Sequence, residues 1–134
     1  MGTWGPGVFE NDETMDFLWE VEEGGVDALR DALDQMIDAA GRPESWAEST
    51  AIAAAAIIAA AYDGRADLLP EEATALLSTL TPLILEDQAL RDRARYAVHR
   101  VLTGDSELLE LWRSSGESDA AIAAIAEVQS RLSD

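Results

Sequence analysis

Asp12, Asp16 and Glu20 recur at every fourth residue near the start of the chain, and Asp27, Asp31, Asp34 and Asp38 repeat at helical spacing just beyond them. In a helix, residues three or four apart share a face, so each set stacks carboxylates in a stripe. Like charges so placed cost roughly a few tenths of a kcal/mol per pair. Three roles are open to such stripes. Carboxylates converging from two elements would hold a hard cation, namely calcium, magnesium or manganese. A stripe left facing outward forms a docking face for a basic partner. The default is a solvated outer face opposite an apolar one. No Asp-x-Asp-x-Asp-Gly calcium loop occurs.

The basic residues cluster elsewhere. Arg91, Arg93, Arg95 and Arg100 fall in one segment, with Arg91, Arg95 and His99 four residues apart. An anion site is one reading. Internal pairing is the stronger one, and it predicts contacts from Arg91 or Arg95 to acids of the first two helices. His99 is the single histidine, and no Gly-x-Ser-x-Gly marks a serine for it to activate. It is expected at the surface or boundary, and no catalytic residue is assigned.

Gly2, Gly5 and Gly7 resemble a phosphate-cradling loop only in their glycines. No strand precedes them, no lysine accompanies them and acids follow, so that chemistry is rejected. An extended arm is the better reading, with Trp4 and Phe9 anchoring it on the body of the protein. Glu10, Asp12 and Asp16 are then exposed beside the anchors. Trp4, Phe9, Glu10, Asn11, Asp12 and Asp16 form the first candidate functional surface. Asp27, Asp31, Asp34 and Asp38 form a candidate acidic docking face.

Composition narrows the field further. The 134 residues hold 27 acids against 9 basic residues, all arginine, for a formal net charge of −18. Cysteine and lysine are absent. Disulfides, thiolate metal sites, lysine Schiff bases and the P-loop lysine are excluded. So acidic a chain repels phosphate backbones, and no nucleic-acid partner is expected. A basic protein would be attracted quickly and in a salt-sensitive way. Such a charge also keeps a protein soluble, and the alanines with an all-arginine basic set fit a GC-rich coding bias. The N-terminus lacks a basic region followed by an apolar run, and the longest apolar run, Ala51 to Tyr62, is shorter than the ~20 residues of a membrane span. A cytoplasmic protein without a membrane partner is expected. No cofactor or metal is assigned.

The elements that would carry these residues are all helical. Asn11 caps a first helix reaching about Glu23, with Met15, Leu18, Trp19 and Val21 or Glu22 as its apolar stripe and Gly24-Gly25 as its stop. A second helix spans about Val26 to Ala40, its apolar face being Val26, Leu29, Leu33, Met36, Ile37 and Ala40. Ser45-Trp46-Ala47-Glu48 reads as a capping box opening a third helix to about Asp63. That helix is apolar all round, which marks a buried central helix. Pro70 suits the first position of a fourth, and Thr81-Pro82 is expected to interrupt it. A fifth covers roughly Asp87 to Leu102, a short one follows Ser106, and a last one starts at Ser118 or Asp119. No period-two strand pattern is present. The spacing predicts an all-α single domain over residues 1–134, a bundle of six or seven helices around a buried Ala-rich helix, with residues 1–10 as an extended Gly/Trp arm.

Gly2-Thr3-Trp4-Gly5-Pro6-Gly7-Val8-Phe9-Glu10-Asn11-Asp12, with Asp16-Phe17-Leu18 after it, resembles the start of the bacterial domain of unknown function 4259 family. Ser106-Glu107-Leu108-Leu109-Glu110-Leu111-Trp112 is similar to a second motif of that family. The resemblance spans nearly the whole chain and implies no established activity. The reading that follows is a small acidic cytoplasmic protein, leaning away from an enzyme. It would be a protein-binding module, immunity-type or regulatory, that engages a basic partner. The alternative is a carboxylate-based metal protein or enzyme at the N-terminal acidic motif.

Overall fold

Every side chain from Ala51 to Ala61 is buried in the computed structural model, which describes residues 12–38, 43–65, 69–103 and 106–132. These residues belong to the central helix, and the described part of the chain folds around it as seven helices with no strand. In order they are α1 (Asp12–Gly24), α2 (Val26–Ile37), α3 (Ser45–Asp63), α4 (Glu71–Glu86), α5 (Gln88–Thr103), α6 (Glu107–Ser115) and α7 (Ser118–Leu132). All six others pack on α3. Its run of alanines explains how, because small side chains on every side let several helix axes approach one rod closely. By length and composition α3 could cross a membrane, yet 78% of that apolar window is buried inside the bundle.

The second helix is shorter than its periodicity suggests. It closes at Asp38, and residues 39–42 lie outside the described part. Between α1 and α2 the chain turns through Gly25 at φ 63°, a left-handed angle that disfavours a side chain. The Gly25 amide donates to the Val21 carbonyl at 2.7 Å, the last bond of the α1 ladder, and the one-residue link makes the packed pair a tight helical hairpin.

Three expectations are corrected. Trp19 does not face the core. The buried face of α1 is Thr14, Phe17, Leu18 and Val21, and Trp19 is 75% exposed. Leu18 belongs to both alternative stripes, so periodicity alone could not choose between them. Pro82 does not break α4, which runs on to Glu86. Leu80 and Ile84, one turn apart, are both buried and hold the helix on the core, while Pro82 lies exposed. The Thr81 hydroxyl donates to the Leu77 carbonyl at 2.6 Å beside the proline. Finally, Ser45 and Glu48 do not form a capping box within α3.

Glu48 is instead 1% exposed and turned to another helix. Its carboxylate accepts from the Ser106 hydroxyl at 2.6 Å and from the Leu108 amide at 3.1 Å. The Ser106 oxygen in turn accepts from the Leu109 amide at 3.1 Å. Reciprocally, the Ser45 amide donates to Glu107 at 2.9 Å. Helix N-termini leave orphan amides that need acceptors. Here α3 and α6 satisfy each other's.

Arg30 joins α2 to the α4–α5 junction, meeting Asp87 at 2.7 Å and Asp27 at 2.8 Å. The Arg30 hydrogen bond holds the Asp87 carboxyl below its ordinary range, partly offset by desolvation. A depressed acid stabilises the fold above its unfolded pKa, and the contribution fades as pH falls through the folded value. Asp87→Asn is therefore expected to cost under about 1 kcal/mol at neutral pH, since the pair is partly exposed. The difference from wild type should shrink as pH falls through the depressed folded value, as seen in urea titrations at several pH values. A difference that grows towards acid would contradict this.

Candidate docking groove

The hairpin of α1 and α2 brings the two acidic stripes side by side. Asp16, Glu20 and Glu23 of α1 face Asp27 and Asp31 of α2 across a groove of about 670 Å³. Phe17, Ala28 and Ala32 supply apolar lining, and Gln35 of α2 with Trp46 and Thr50 of α3 complete it. None of the lining residues is basic. Asp16, Glu20, Glu23 and Asp31 form no ion pair with another described residue. Asp27 is shared with Arg30. Trp46 is 45% exposed, and its indole N–H is held by Glu44.

The candidate docking face on α2 is thus divided. Asp27 and Asp31 line the groove, whereas Asp34 pairs with Arg93 of α5 and Asp38 borders a shallow cleft with Tyr96 and Arg93. Of the first candidate surface, Asp16 lies in the groove. Trp4, Phe9, Glu10 and Asn11, and the side chain of Asp12, fall outside the described residues. Glu23, Trp46 and Gln35 were not singled out by the sequence. Glu23 stands seven residues from Asp16, on the same helical face, which was a readable signal.

The arginines of α5 behave differently from the expectation. Arg91 and Arg95 do not reach acids of α1 or α2. Their Nε atoms donate to the Leu132 carbonyl, at 2.9 and 2.7 Å, where α7 ends. Arg100 donates to the Met36 and Ile37 carbonyls at 3.0 and 3.3 Å, where α2 ends. Cations are favoured at these negative helix ends. Arg91 also lies 4.6 Å above the Tyr62 ring. Arg93 makes the expected kind of contact, to Asp34. His99 is exposed on the outside of α5.

Among the described residues no three acidic or histidine side chains are placed to hold one metal ion. In comparison with protein families, the model for "Domain of unknown function (DUF4259)" matches residues 2–128. The chain belongs to the DUF4259 family. Both motifs that carried the resemblance lie inside that span. No curated protein and no solved structure matches the chain. In this DUF4259 protein the second motif has a physical role, since Ser106 and Glu107 are the residues that exchange caps with α3.

Proposed function

We propose that this DUF4259 protein is a non-enzymatic binding module, regulatory or immunity-type, whose α1–α2 groove engages a basic protein in the cytoplasm. One observation carries the reading: five carboxylates converge on a groove that no basic side chain lines. Their mutual repulsion is relieved when cations enter, and the same field speeds a basic partner's approach. The net charge of −18 argues against nucleic acid as that partner. The carboxylate-metal alternative draws no support from the described residues.

The test is affinity capture from the source lysate with wild type and with the variant Asp16→Asn, Glu20→Gln, Asp31→Asn. These positions are exposed, so the variant is expected to fold normally. A basic protein retained by wild type at about 50 mM salt, lost at about 500 mM and not retained by the variant supports the reading. Equal retention by both forms rejects it.

A further inference from the structure

We infer that the groove seats an α-helix of the partner, with a small apolar stripe downward and arginines or lysines on both flanks. The inference rests on the docking reading above and narrows it to one kind of occupant. Ala28 and Ala32 of α2 follow one another at a four-residue step along the groove, a row of about 6 Å or one helical turn, and Gly24 of α1 lies against Ala28 across the Gly25 turn. Small side chains in such a row let another helix approach to the 8–10 Å typical of packed helices. Acids stand on either side of it, Asp16, Glu20 and Glu23 along α1 and Asp27 and Asp31 along α2. An apolar floor between two acidic rims is the complement of an amphipathic basic helix, whose anchors repeat every three or four residues.

Other occupants fit less well. Both walls are helices, whose backbone groups are already bonded internally. An extended peptide would bury its amides there with no strand edge to pair them. A second copy of this chain would bring acidic rims against acidic rims at a net charge of −18 each. Trp46, half-exposed in the groove's lining and fixed through its indole N–H, offers a ring face to an incoming guanidinium.

The probe is a fluorescein-labelled amphipathic peptide of about four turns, with an alanine–leucine stripe flanked by arginines, compared with a scrambled peptide of equal composition. Fluorescence anisotropy is expected to show the ordered peptide binding at least about tenfold more tightly than the scrambled one. Ala28→Leu, which fills the floor and leaves the charge unchanged, should erase that preference without weakening the scrambled peptide. If Ala28→Leu fails to fold, Gln35→Trp at an exposed position blocks the same floor. Equal binding of the two peptides to wild type would overturn the helix inference while leaving the docking reading intact. So would a preference that survives both floor variants. Absence of salt-sensitive binding by either peptide would count against both. Sedimentation showing that the chain alone dimerises, with Ala28→Leu restoring the monomer, would give the groove to a second copy and also overturn the inference.

Discussion

Replacing Glu48 with alanine is expected to lower the unfolding free energy by about 3 kcal/mol, measured by urea denaturation. The carboxylate is buried and accepts from Ser106 and Leu108, so its loss leaves a buried and a half-buried donor unanswered and a void between α3 and α6. Burying an unpaired polar group costs more than a typical hydrogen bond contributes. Glu48→Gln keeps the volume and one acceptor, and should fall between the two. Ser106→Ala removes the other half of the pair, and the double variant should cost less than the two singles added together. Glu107→Ala, which uncovers the Ser45 amide, is expected to cost about 1 kcal/mol. A Glu48→Ala protein within about 0.5 kcal/mol of wild type would show that the exchanged caps do not hold α6 to the bundle.

The second large effect lies in the alanines of α3. Ala53, Ala54, Ala55 and Ala56 point in four directions around the helix, and all are fully buried. Each substitution to leucine is therefore expected to destabilise by about 2–3 kcal/mol, because no direction has room for three more carbons. On a helix with one wet face, at least one of the four would be tolerated. A thermal melt of each variant decides between these cases, and one neutral member of the set would show an open side.

Much of this fold could be read in advance because its signals were local. The central helix was legible since Ala51 to Ala61 has no polar face, and the helix stops were legible in Gly25, Gly64 and Gly116, which take left-handed angles. What failed were choices between partners that local patterns leave equal. Ser45-x-x-Glu48 satisfies a capping box, but Glu48 found donors some sixty residues away. Arg91 and Arg95 were matched to acids because side chains are visible in a sequence, whereas the carbonyl of Leu132 carries no mark. The candidate site was half legible. Each acidic stripe stood out alone, but only the hairpin at Gly25 sets them face to face. The small floor of Gly24, Ala28 and Ala32 acquires meaning only between those rims.

The division of charge between α1 and α5 has a consequence for motion in solution. The groove carboxylates gather at the hairpin of α1 and α2, while Arg91, Arg95 and Arg100 gather on α5, which packs on α2, α3, α4 and α7. This separation contributes a dipole component pointing from the groove towards α5, on top of the net charge. In the field of an approaching cationic body the molecule experiences a torque, and it turns before it touches. Under the proposed docking, this would shorten the rotational search and turn the groove towards the basic body that it meets.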